Sequence, residues 1–180
     1  LALLLYQRGD FSAATEIYRQ WHAYDPDNPI ARHMAAAGGT ATPQRADDRY
    51  VAEIFDNFAA SFETTLLGLG YRVPELLTAQ INAELGAATA ALRILDAGCG
   101  TGLAAPLLKP LAQQLVGVDL SGAMLDKARD RKLYDELVVG ELCAFMSSRP
   151  ATFDLIILAD TLVYFGSLAE AFDKAHGALA

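Results

Sequence analysis

The run LRILDAGCGTG, Leu92 to Gly102, constrains the fold more than any other part of this chain. Its first half is apolar and strand-like, and glycines then fall at Gly98, Gly100 and Gly102. Such a run predicts a strand ending in a tight loop, where backbone can approach a ligand with little side chain in the way. From residue 91 onward, short apolar stretches alternate with helical ones, the pattern of a parallel sheet in an α/β fold. Strands are expected at about 91–95, 115–118, 137–139 and 153–158, with helices over 103–111, 122–132 and 168–178 and a short turn near 144–148. Right-handed crossovers place every strand-to-helix loop at the carboxyl edge of the sheet, where a ligand should sit.

Upstream, the texture is helical. Residues 1–37 read as a pair of helices around a turn at Gly9-Asp10, followed by a further helical stretch at 30–37. Ala2, Leu5, Phe11, Ala14, Ile17, Tyr18 and Trp21 form an apolar seam at helical spacing. Residues 38–47 have the small-residue and proline content of a linker. Residues 48–90 predict two amphipathic helices separated by Gly68, Gly70 and Pro74, rich in aromatic side chains and suited to a lid, and 91–180 form the α/β domain. A sheet ordered 3-2-1-4 would leave strand four as an apolar edge, so the natural protein is expected to be longer.

What the glycine loop can hold depends on the acids around it. Asp119, at the end of the second strand, is placed to accept both hydroxyls of a ribose, which suits a dinucleotide and an adenosyl group alike. The dinucleotide fingerprint needs a glycine where Leu103 stands, and a pyrophosphate would meet Asp96 at the loop. A carboxylate ~4 Å from an anion costs on the order of a few kcal/mol at a partly shielded site. The same carboxylate attracts a cation. A phosphate-loop signature is missing, since no Gly-Lys-Ser/Thr follows the loop. The ligand that fits is an adenosine carrying a positive group in place of phosphates.

Composition narrows the alternatives. A net charge of −8 and a pI near 4.7 argue against a nucleic-acid partner, because phosphate binding needs a basic stripe. Cys99 and Cys143 are the only cysteines, too few for a disulfide framework or a cysteine-rich zinc site; a reducing, cytoplasmic setting is the simpler expectation. No apolar run reaches a membrane span, and no metal is implied. His22, His33 and His176 lie on expected helices away from the glycine loop.

The quoted stretches resemble the class I S-adenosylmethionine-dependent methyltransferases: LDAGCGTG at 95–102, GVDLSGAMLDKAR at 117–129, VVGEL at 138–142 and FDLIILADTLVYFG at 153–166. The helical segment before them resembles the bacterial branch with an N-terminal tetratricopeptide-like repeat. The resemblance implies a Rossmann-like sheet whose C-terminal strands are incomplete in this chain, and S-adenosylmethionine as cofactor. It implies that Asp96, Gly98 and Gly100 hold the methionine moiety, Asp119 the ribose, Leu120 and Met124 the adenine face, and Glu141 and Leu142 the adenine edge. Asp160 would stand beside the cofactor's cationic end, with Asp160 and Tyr164 the candidates on the acceptor side. Ser121 reads as a helix cap.

The leading expectation is methyl transfer to a small molecule or a carrier-borne acyl group, with no nucleic-acid or membrane partner. An NAD-dependent oxidoreductase is the second reading. A protein-interaction module, in which the repeat recruits a partner and the methyltransferase fold is vestigial, is the third. Asp96→Asn is expected to weaken cofactor binding while leaving the fold intact.

Overall fold

The structure, a computed structural model, describes residues 1–38, 45–86 and 90–180. Residues 39–44 of the expected linker and 87–89 before the first strand lie outside the described residues. The chain divides into two compact units, Leu1–Ile54 with Tyr164–Ser167, and Phe55–Val163 with Leu168–Ala180.

The first unit is helical: α1 (Ala2–Gln7), α2 (Phe11–Tyr24), α3 (Pro29–Ala37) and the first turns of α4 (Asp48–Phe58). Gly9, at φ +80°, makes the turn between α1 and α2, and Asp10 caps α2 by accepting from the Ala13 N–H. Asn28 caps α3 in the same way, with Pro29 in the first turn. The expected seam is only partly buried. Ala2, Ala14 and Tyr18 form a small core with Leu5, Ile17, Met34 and Ala35 against it, whereas Phe11 and Trp21 are exposed. Phe11 meets Tyr6 edge-on and Trp21 stacks on Tyr18, so both rings cover the outside of the core.

The second unit holds the sheet. The segment expected to form two helices with one break forms three helices with two: α4 ends at Phe58, α5 covers Phe62–Gly68 and α6 covers Val73–Leu85. Gly70, at φ +66°, makes the second interruption, as its sequence suggests. The first falls at Ala59-Ala60-Ser61, which contains no strong helix breaker and was therefore not legible.

Strands β1 (Leu92–Ala97), β2 (Ala112–Asp119), β3 (Glu136–Val139) and β4 (Leu155–Ile157) form one parallel sheet in the order β3-β2-β1-β4. Between them run α7 (Ala105–Leu108) with a 3-10 turn at Lys109–Leu111, α8 (Gly122–Asp130) and α9 (Leu142–Ser147), and α10 (Ala169–Ala178) follows β4. The expected helix over 103–111 is short because Pro106 starts it and Pro110 sits in the 3-10 turn that closes it; β2 accordingly begins at Ala112. Ile94, Leu108, Leu115 and Ile157 centre the core between sheet and helices. At the amino edge the Arg93 guanidinium grips both Asp154 oxygens and holds that carboxyl down at about 2, joining β1 to β4. On the outer side of β4 a parallel bridge links Phe153 to Leu179.

Candidate functional site

Register decides what meets at the carboxyl edge. Asp96 on β1 pairs with Gly117 on β2 and Ile157 on β4, and Asp119 pairs with Val139 on β3. The four strand ends therefore bring the loops carrying Asp96, Asp119, Glu141 and Asp160 to one side of the sheet.

The glycine loop folds back over β2. The Gly98 and Cys99 N–H groups both donate to the Val118 carbonyl, at 2.7 and 3.1 Å. Gly98 has φ +79°, and a Cβ there would lie 2.2 Å from Thr161 Oγ1. Thr161 itself donates to the Ala97 carbonyl at 3.0 Å, so the turn after β4 is locked against this glycine. Gly100 has φ +53°, yet nothing lies within 4 Å of where its Cβ would be. The loop is packed tight at Gly98 and open at Gly100.

Asp119 links this loop to the next. Its Oδ2 accepts from Gly100 N–H at 2.8 Å and its Oδ1 from Ser121 N–H at 2.9 Å. Burial raises its carboxyl above the usual range, while those backbone donors oppose the rise. Each oxygen keeps a further lone pair, so the group can still accept from a diol. Ser121 caps α8 by accepting from Met124 N–H at 3.1 Å. Its hydroxyl donates to Asp56 Oδ1 at 2.6 Å, and the same oxygen accepts from Ala123 N–H.

Asp96 sits beneath the loop, not at its mouth. It is 2% exposed, and Tyr134 donates its hydroxyl to Asp96 Oδ2 at 2.6 Å. Burial pushes its carboxyl up to about 6, the Tyr134 bond pulls it down and Asp119 adds repulsion. The Tyr134 ring fills the space beside Gly102 and Gly117, where Cβ atoms would come within 2.9 and 3.0 Å of it. Burial also raises the Cys99 thiol, which keeps it an inert neighbour of Asp96.

The remaining expected residues fall around this centre. Leu120 is half-buried, and Met124 is buried in α8. Glu141 caps α9, its two oxygens accepting from Cys143 and Ala144 N–H at 2.9 and 2.7 Å, and Leu142 is buried behind it. Asp160 is exposed, with backbone at φ +54°. Tyr164 groups with the first unit. Sequence reasoning missed Asp56, Glu63, Arg131, Tyr134 and Thr161. None carries a local spacing signal, because each acts on a partner more than 30 residues away or, for Thr161, through a backbone contact across the sheet.

Comparison with known proteins gives this geometry a family. Residues 94–180 match the family described as "Methyltransferase domain". Over these residues the chain is similar to methyltransferase domains. The 18S rRNA (guanine-N(7))-methyltransferase of Bos taurus is 41% identical over 64 residues, covering 36% of this chain and 23% of the relative. The malonyl-[acyl-carrier protein] O-methyltransferase of Yersinia pestis is 26% identical over 116 residues, 63% of this chain and 40% of the relative. An amino pentose methyltransferase from Micromonospora echinaspora, solved with S-adenosylmethionine bound, superposes with a TM-score of 0.51 at 27% identity, covering 66% of this chain and 51% of that one. The chain spans less than half the length of these two curated relatives. S-adenosylmethionine is the cofactor that these similarities support.

The site at the glycine loop fits that cofactor on its own atoms. The open space at Gly100 offers a cradle, Thr101 Oγ1 is buried with no protein partner, and the acids nearest the loop suit a diol and a cation better than a pyrophosphate. Arg131, the basic group at this loop, is already engaged by the Thr101 carbonyl and Glu63. Among the described residues no group of histidine, cysteine and acidic side chains could hold a metal ion, and no helix is long and apolar enough to cross a membrane.

The expectation that nucleic acid is excluded is corrected by the ribosomal RNA methyltransferase relatives. Net charge sums over a whole chain, whereas an RNA contact reads a local surface. The present chain also spans under a quarter of those relatives.

Proposed function

We propose that this chain carries the cofactor-binding part of an enzyme that transfers a methyl group from S-adenosylmethionine to a small molecule or a carrier-borne acyl group. The observation that carries the reading is the bond from Gly100 N–H to Asp119 Oδ2, which joins an open glycine cradle to an acid suited to a ribose. Gly98 and Gly100 would hold the methionine moiety, with Asp96 acting from beneath through its charge. Asp119 would bind the ribose hydroxyls. Leu120 and Leu142 would flank the adenine, with Met124 packed under the loop and Glu141 keeping α9 in place. Asp160 would face the reactive end.

When bound, S-adenosylmethionine supplies an activated methyl group whose transfer releases a neutral thioether. The residues around it therefore need to position and exclude water more than to donate a proton, which agrees with the lack of a nucleophile and base pair in the sequence.

Isothermal titration with S-adenosylmethionine, S-adenosylhomocysteine and NAD tests the cofactor. Binding of the first two and not the third is expected, and binding of NAD alone would replace this reading with the oxidoreductase one. A second reading of the acceptor, ribosomal RNA, is favoured by the 41% identity to the bovine relative. Methyl release measured against metabolite pools, acyl-carrier substrates and ribosomal RNA separates the two. For the first unit we propose a single tetratricopeptide-like hairpin, supported by the Gly9-Asp10 turn and by Ala14 and Tyr18 in its core.

A further inference from the structure

Asp96 has a partner that none of the strand-and-loop motifs supplies. Tyr134 lies in the short connection between α8 and β3, and its hydroxyl donates to Asp96 Oδ2 at 2.6 Å, across 38 residues of sequence. That length is typical of an O–H donor on an ionised carboxylate, a bond shorter and stronger than its neutral counterpart. It occupies Oδ2 and leaves the lone pairs of Oδ1 for a second donor.

The connection is held from both sides. Three residues before Tyr134, Arg131 Nε donates to the Thr101 carbonyl of the glycine loop at 2.7 Å. One residue after it, the Asp135 N–H donates to the Leu115 carbonyl of β2 at 2.9 Å, and the Asp135 carboxylate accepts from Leu115 N–H and Lys109, both at 2.8 Å. Between these anchors the ring lies in a slot made by two glycines, since a Cβ at Gly102 or Gly117 would stand 2.9 or 3.0 Å from it. Anchors and slot together fix where the hydroxyl points.

Filling the slot needs only a phenyl ring; the hydroxyl serves Asp96. That carboxylate is 2% exposed, so bulk water does not supply the donor, and a buried carboxylate without one takes up a proton more readily. The other titratable groups in its field are Asp119, Cys99 and Tyr71. The thiol and the phenol are pushed up by burial and stay neutral, while Asp119 opposes a second negative charge, and Arg131 is the cation acting on Tyr134.

We propose that Tyr134 is a positioning residue for cofactor binding, whose hydroxyl keeps the Asp96 carboxylate ionised and aimed, so that the charged amino-acid end of the cofactor meets a fixed anion beneath the glycine loop. The proposal rests on the cofactor reading above. It makes the charge preference of the site depend on a residue outside the glycine loop and the strand ends.

The test uses the full-length protein and needs no acceptor. S-adenosylhomocysteine, which carries the charged amino-acid end, and 5′-methylthioadenosine, which lacks it, are titrated from pH 5 to pH 8 into wild type, Tyr134→Phe, Asp96→Asn and the double variant. In wild type the preference for the charged ligand should rise through about pH 6. Tyr134→Phe keeps the ring and should move that rise up by about one pH unit, because a donor to the charged form is gone. The preference should then fall about fivefold at pH 6 and return to within about twofold of wild type at pH 8. Affinity for 5′-methylthioadenosine should stay near wild type, which also reports a folded site. In the Asp96→Asn background, adding Tyr134→Phe should leave the preference unchanged. An unaltered pH profile in Tyr134→Phe, equal weakening of both ligands, or a further loss of preference in the double variant would overturn the role. Wild-type protein that binds neither ligand would overturn the cofactor reading and this inference with it.

Discussion

Asp96 holds its charge at a cost. Its carboxyl, ordinarily near 3.8, is raised to about 6 by burial, so the folded state binds a proton more readily than the unfolded state does. The proton-linked stability is therefore fully present below about pH 4 and is lost as pH rises through 6, amounting to about 3 kcal/mol for a fully buried acid. Asp96→Asn, which keeps the shape without the charge, should be more stable than wild type in urea at pH 8 and lose that advantage by pH 4. The same variant should bind S-adenosylmethionine more weakly, and wild-type affinity should tighten from pH 5 to pH 7 while the variant's stays flat in titration calorimetry. The neighbouring glycines separate packing from binding. Gly98→Ala meets both a left-handed φ and Thr161 Oγ1 2.2 Å away, for a cost of about 2–4 kcal/mol. Gly100→Ala meets only the φ penalty, about 1–2 kcal/mol, but projects its methyl into the open cradle. Denaturation should rank Gly98→Ala as the less stable, while titration at matched folded fraction should rank Gly100→Ala as losing at least tenfold in affinity.

At the scale of elements, helix α8 begins with a shared cap. Ser121 Oγ accepts from Met124 N–H and donates to Asp56, which in turn accepts from Ala123 N–H. Ser121→Ala and Asp56→Ala should each cost about 1–2 kcal/mol in urea denaturation. Because they share one bond, the double variant should cost less than their sum by about 0.5–1.5 kcal/mol; strict additivity would show that the two groups act separately. The contrast with the sheet explains what the residues disclose in advance. Strand order and the carboxyl edge follow from alternation of apolar runs, glycine placement and chirality, all local or universal rules, so the position of Asp96, Gly98, Gly100 and Asp119 at that edge was legible. Ser121 as a cap was legible too, from its place before GAM. Its partner Asp56 was not, because 65 residues separate the two and no periodicity connects them. Tyr134 escaped notice for the same reason, and with it the fact that Asp96 faces a phenol rather than solvent.

For the molecule as a whole, charge is a poor guide to the acceptor and a better guide to the cofactor. The −8 total is a sum over every surface, and the similarity to ribosomal RNA methyltransferases shows that such a sum cannot exclude a nucleic-acid acceptor. The charge at the glycine loop is a local quantity fixed by geometry: Asp96 below, Asp119 bonded across it and Asp160 beside it, with Arg131 occupied by Thr101 and Glu63. A ligand that binds only the folded state stabilises it by RT ln(1 + [L]/Kd), about 2.7 kcal/mol at a hundredfold excess over Kd. S-adenosylmethionine at that level should raise the free energy of unfolding by this amount. NAD at the same concentration should leave it unchanged, since its pyrophosphate would enter a field set by three carboxylates. Denaturation of the protein with each nucleotide in turn measures the difference. Equal stabilisation by NAD would mean that the acids at the loop do not select the ligand, and the electrostatic argument that begins at Asp96 would fail for the whole site.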